Sequence, residues 1–237
     1  MVELEQKGGV FILSIPHVFT VPLIQEVHRA LDTVEKHDGP TALVFRSTHP
    51  NIFHAGMNIK LLQKEGPEEF FRIYENLQKL CARLLSIGLP TIAACNGPVV
   101  AGGFIFLGAI SYVVSSPTAF FSMTELKLGM VVEKSGYMIL RSKMDERTIR
   151  DIALFGRRIE AEEGLRRKII DEIVPKEKVL ERAIELANEL APLGERREVH
   201  QCIKQSMYKD IIESGVHASY PDEFKVHVRN AFNLPKL

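Results

Sequence analysis

The sequence has no surplus of either charge: 30 Lys and Arg balance 30 Asp and Glu over 237 residues. A chain without a basic footprint is a poor match for nucleic-acid binding. An anionic ligand must then rely on local basic side chains, because no global field draws it in. Cysteine is scarce, at three residues. Cys81, Cys95 and Cys202 are widely separated, which leaves no zinc or redox motif and fits packed thiols in a reducing compartment. No apolar run is long enough to span a bilayer. The N-terminal residues are acidic and short on arginine, unlike a secretory or mitochondrial presequence. Also missing are a G-x-G-x-x-G turn after a strand, a P-loop lysine motif and the G-x-S-x-G of a nucleophile elbow. No histidine stands at H-x-x-x-H or E-x-x-H spacing, so no metal site is expected.

What is present reads as an ordinary globular protein, with 46% hydrophobic and 25% charged residues. The length allows one large core, or a core with a small helical lobe. Short strands open the chain, clearest at residues 10–15. Pro22 starts a helix in which Leu23, Val27, Leu31 and Val34 recur at helical spacing. A buried strand at 42–45 follows, then a polar loop through Asn51. Pro67 begins a long amphipathic helix with Phe70, Tyr74, Leu77, Cys81 and Leu84 on one stripe, ended by Gly88 and Pro90. An apolar strand at 91–95 leads through an Asn96-Gly97 turn to Gly102-Gly103 and a helix over 104–110. Strands at 112–115 and 119–122 come next. Beyond about residue 145 the pattern is helical, including 176–191 and 196–212.

Two glycine-bearing segments carry the chemistry. One is Phe-His-Ala-Gly-Met-Asn-Ile-Lys at 53–60; the other runs from Pro90 through Asn96-Gly97 to Gly102-Gly103. Glycine lets main chain approach a ligand closely. Two converging segments can therefore point two N–H donors at one carbonyl oxygen and stabilise charge developing there.

In order and spacing these segments resemble the crotonase superfamily of enoyl-CoA hydratases and isomerases. Residues 119–129, around Glu125, look like the segment that carries that family's catalytic glutamate. Residues 154–163 and 170–175 look like its next hallmark. The resemblance implies an α/β fold: a spiral of strand–strand–helix repeats over residues 1–190, then a C-terminal helical region over 191–237 that makes trimer contacts. It implies a homotrimer or dimer of trimers and an acyl-CoA substrate. It implies no nucleic-acid or membrane partner, and no cofactor beyond the coenzyme A of the substrate. By position it places an oxyanion hole on the N–H groups of Met57 and Gly102. It places substrate contacts at Ala55, Gly56, Asn58, Lys60, Gly103 and Ile105, with Lys60 a partner for a CoA phosphate. Many members have aspartate where Asn58 stands.

Hydratases of this family use two glutamates to hold and activate water, one of them two residues past the paired glycines. Here that position is Ile105, and an aliphatic side chain can neither orient nor deprotonate water. The other position is filled, by Glu125, and a second acid, Glu133, lies four residues past Gly129. Simple enoyl-CoA isomerases resemble this chain at one or other acid, and dienoyl-CoA isomerases carry both. The expectation is therefore a 3,2-trans-enoyl-CoA isomerase of fatty-acid beta-oxidation with Glu125 as base and acid. A 3,5-2,4-dienoyl-CoA isomerase using Glu125 and Glu133, and a non-catalytic acyl-CoA-binding protein, stand as alternatives. The residues Pro235-Lys236-Leu237 differ from the peroxisomal Ser-Lys-Leu address only in the first position, which points to the peroxisome, with the cytoplasm as the alternative.

Overall fold

A computed structural model of the protein describes residues 1–233; the Pro-Lys-Leu tripeptide lies outside them. Strands in chain order are β1 (Glu3–Lys7), β2 (Val10–Ile15), β3 (Ala42–Ser47), β4 (Thr91–Cys95), β5 (Val99–Val100), β6 (Tyr112–Ser115), β7 (Phe120–Ser122), β8 (Ile159–Glu160) and β9 (Glu172–Ile173). The larger sheet runs β1-β2-β3-β4-β6-β9, with β1 antiparallel to β2 and the other pairs parallel. A smaller sheet orders β5-β7-β8. This is the α/β architecture that the sequence led us to expect.

The helices are α1 (Val21–Glu35), α2 (Ile59–Glu65), α3 (Pro67–Ser86), α4 (Gly102–Gly108), α5 (Lys134–Arg141), α6 (Glu146–Ala153), α7 (Ala161–Arg166), α8 (Val179–Leu190), α9 (Arg197–Met207), α10 (Lys209–Val216) and α11 (Asp222–Asn233). Every residue of β2 and β4 is buried, the mark of central parallel strands covered on both faces. Alternation assigns the faces. Phe11, Leu13, Ile15, Leu43, Phe45 and Ala93 pack with buried residues of α1, α3 and α4. Val10, Ile12, Val44, Ile92 and Val114 pack on Val179, Ala183, Leu186 and Ala187 of α8. The candidate site belongs to the first of these cores.

Local chemistry fixes the element ends. Thr20 caps α1 by accepting the Leu23 N–H at 3.2 Å. Arg83 of α3 donates to Asp32 at 2.6 Å and to Glu35, tying α3 to α1. The helix expected over 196–212 is two helices, α9 and α10, because the backbone at Tyr208 leaves helical geometry (φ −115°, ψ 19°). The break lets α10 turn against α3 so closely that a Cβ on Gly215 would meet the Ala82 Cβ at 3.0 Å. Lys204 of α9 is buried and donates to the Leu84 and Leu89 carbonyls. Burial pushes its amine down to about 7.

Candidate active site

The two glycine-bearing segments do converge. Val100 donates to the His54 carbonyl at 2.9 Å, and the His54 N–H reaches Pro98 O at 3.2 Å. From the other side, Phe19 N–H donates to Gly56 O at 2.7 Å and Ala55 N–H to His17 O at 2.7 Å. Gly56 has φ +76°, and a Cβ there would lie 2.9 Å from Gly102 N and 3.1 Å from Val100 O. A Cβ on Gly103 would lie 2.6 Å from His54 O. These two positions need glycine because backbone meets backbone.

Ala101, between them and the start of α4, has φ 53° and ψ −129°. For a residue with a Cβ this costs about 1–3 kcal/mol, and the surroundings hold it. Its N–H donates to Ser122 O at 2.9 Å, and its carbonyl accepts from Phe104 N–H at 2.8 Å. The result is that neither the Met57 nor the Gly102 N–H meets an acceptor among the described residues. Both expected oxyanion donors are thus free for a ligand.

His54, between Phe53 and Ala55, anchors this arrangement. It is fully buried, its ring 3.9 Å from that of Phe19. Its Nδ1 accepts the Gly56 N–H at 3.0 Å. Burial, with a smaller push from His17, lowers its pKa to about 3, so the ring is neutral. An accepting Nδ1 places the ring proton on Nε2, which is buried without a partner.

Next to these segments lies a cavity of about 60 Å³, lined by Ala55, Met57, Ile59, Phe70, Tyr74, Ala101, Gly102, Ile105, Thr124, Glu125, Leu128, Met130, Val131 and Val132. Glu125 is its one ionisable carboxyl group. The Glu125 backbone is pinned, its carbonyl accepting from Leu128 at 3.0 Å and Met130 at 2.9 Å. Gly129 closes that turn in left-handed geometry, at φ 67°. In the side chain, Oε2 is buried with no hydrogen-bond partner, while the backbone at Thr124 and Glu125 offers the carboxyl its nearest donors. Loss of solvent pushes the carboxyl up to about 7, where a group exchanges a proton in both directions near neutrality.

The other anticipated residues fall into different places. Ile105 lines the cavity within the apolar α4. Gly103 packs behind it against His54. Glu133 is not a lining residue; it caps α5, its Oε2 accepting the Ser135 N–H at 2.8 Å and the Ser135 hydroxyl. Asn58 is exposed and caps α2 by accepting the Leu61 N–H at 3.2 Å. That role suits asparagine as well as the aspartate of many family members. Lys60 is exposed on α2.

Sequence reasoning missed three contributors. Ala101 carried no sign of its backbone geometry. Tyr74 read only as one member of a helical stripe. Tyr220, between α10 and α11, is buried, donates to Val131 O and stands edge-on to Tyr74 at 5.2 Å. A residue 89 positions away from its acceptor gives no local signal.

The sequence profile of the enoyl-CoA hydratase/isomerase family matches residues 17–227. A Thermus thermophilus relative named for enoyl-CoA hydratase is 34% identical over 69% of this chain and 65% of its own length. A carnitinyl-CoA dehydratase of Salmonella typhi is 30% identical over 65% of this chain and 61% of its own length. The chain thus spans a little under two thirds of these relatives. Among solved structures, the enoyl-CoA hydratase EchA3 of Mycobacterium ulcerans superimposes with a TM-score of 0.82 at 21% identity, over 98% of this chain and 99% of that one. An enoyl-CoA isomerase of Mycobacterium tuberculosis gives 0.81 at 21% identity, over 98% and 96%. At that identity the likeness is one of fold.

Proposed function

Since the chain belongs to the enoyl-CoA hydratase/isomerase family, we propose that it moves the double bond of a 3-enoyl-CoA into conjugation, giving the trans-2-enoyl-CoA. The observation that carries this reading is Glu125: a carboxyl group with one oxygen buried and unpartnered, in a cavity whose hydratase-glutamate position is Ile105. As a carboxylate it takes a proton from the alpha carbon. That C–H electron pair becomes a double bond between the alpha and carbonyl carbons as the carbonyl pi pair moves to oxygen, giving a dienolate whose oxygen is held by the Met57 and Gly102 N–H groups. The protonated Glu125 then returns the proton to the gamma carbon: the beta–gamma pi pair forms the new C–H bond, the pair between the alpha and carbonyl carbons becomes the alpha–beta double bond, and the oxygen pair restores the carbonyl. No group beyond this carboxyl and the two donors is needed.

The curated relatives are named for adding or removing water, and Ile105 argues against that chemistry here. Glu133 supports the simple reaction over the dienoyl one, because its carboxylate is occupied in capping α5. A carboxyl oxygen buried without a partner is a folding cost with no structural return, which supports a catalyst over a silent CoA-binding protein. We also place the chain in fatty-acid beta-oxidation and assign it a homotrimer or dimer of trimers. Val199, Ile203 and Met207 give α9 an exposed apolar stripe in keeping with self-association.

Incubation with 3-hexenoyl-CoA, followed by mass spectrometry and ultraviolet absorbance, tests the reaction class. A conjugated thioester of unchanged mass is expected. A product heavier by one water makes the chain a hydratase and removes the isomerase reading.

A further inference from the structure

Besides Glu125 and Thr124, the cavity wall contains one polar side chain, Tyr74 of α3, whose hydroxyl is buried, unpartnered and unused by the mechanism. It is 3% exposed, and its hydroxyl is buried without a hydrogen-bond partner. The Ser135 hydroxyl and the Glu133 backbone approach the phenol as would-be partners, but that hydroxyl donates to Glu133 Oε2 and neither contact reaches hydrogen-bond geometry. A Cβ on Gly136 would lie 3.6 Å from the Tyr74 oxygen, which places that hydroxyl where α3 meets the first turn of α5. Phe70, Ile105 and Val132 line the same cavity. Phenylalanine would fill this wall as well, without the cost of a buried unsatisfied hydroxyl, on the order of 1–3 kcal/mol.

We propose that Tyr74 is a specificity-determining residue whose hydroxyl donates a hydrogen bond to a neutral oxygen on the acyl chain. This deepens the acyl-CoA reading above and rests on it. The neutrality follows from the lining, which has no Lys, Arg or His. A carboxylate at the chain end would be buried unpaired beside Glu125, which is far more costly than a buried hydroxyl or carbonyl. The direction of the bond follows from the phenol, which burial holds well above its ordinary pKa, so that it donates. A site built around such a donor rejects chains that leave it empty.

The test is a calorimetric titration of the full chain with hexanoyl-CoA and with its 4-, 5- and 6-hydroxy forms, on the wild type and on Tyr74→Phe. At least one hydroxy form is expected to bind the wild type about tenfold or more tightly than hexanoyl-CoA, with Tyr74→Phe removing that preference. Equal affinities for all four thioesters in the wild type overturn the proposal, whatever the variant does. A preference that survives in folded Tyr74→Phe also overturns it. Because the titration reads binding, it separates the two claims. Discrimination without turnover of any 3-enoyl-CoA removes the isomerase reading alone. Turnover without discrimination removes the Tyr74 assignment alone.

Discussion

The backbone of Gly56 lies so close to that of Gly102 that a single methyl group on Gly56 would stand 2.9 Å from the Gly102 nitrogen. Both expected oxyanion donors depend on that approach, since Met57 follows one glycine and Gly102 is the other partner. Gly56→Ala also places a side chain at φ +76°. We expect it to lower kcat/KM for 3-hexenoyl-CoA by about a hundredfold, the scale of a lost oxyanion donor. Steady-state kinetics on variant confirmed as folded by circular dichroism checks this.

His54 should act through the Gly56 peptide. His54→Leu removes the acceptor of the Gly56 N–H, while the amide oxygen of His54→Asn can replace Nδ1. The expected result is a fall in kcat of about tenfold or more for the leucine variant, KM nearly unchanged, and partial recovery in the asparagine variant. Equal losses in both, tracking their thermal midpoints, would show that the ring only fills space.

The raised Glu125 carboxyl gives a pH signature of known sign. The base is ionised only above about 7, so kcat/KM should rise with pH to a plateau there, falling by about tenfold per unit below it. Stability runs the opposite way. Between the ordinary value of 4.5 and about 7, the native chain keeps a proton that the unfolded chain has released. This group's contribution to stability therefore declines as pH rises through that window. Glu125→Gln should lack the decline, as read from urea midpoints at several pH values.

Glu133 is expected to matter for folding more than for turnover. Glu133→Ala deletes the α5 cap and should cost about 1 kcal/mol, as caps do. The rate with 3-hexenoyl-CoA should stay within about threefold of wild type, since the carboxylate is not at the cavity wall. A loss of a hundredfold or more would restore the two-acid scheme.

Much of this molecule could be read from its residues. The buried strands at 10–15, 42–45 and 91–95 announce themselves by unbroken apolar runs, and the Gly-rich segments by composition that only close backbone contact explains. The short helix α2 was hidden because residues 59–65 continue a glycine-bearing loop and bury little besides Leu62. The role of Glu133 was hidden for a different reason. An acid next to Ser135 can face a substrate or cap a helix, and only the start of α5 decides between them. Tyr220 over Tyr74 is a contact between distant segments, set by how α10 turns after Tyr208.

The most direct test of the account compares wild type and Glu125→Gln in the rate of conjugation of 3-hexenoyl-CoA, alongside calorimetric binding of the saturated thioester. The account predicts a loss of at least about a hundredfold in rate, with binding retained. Near-normal conjugation by Glu125→Gln would contradict it.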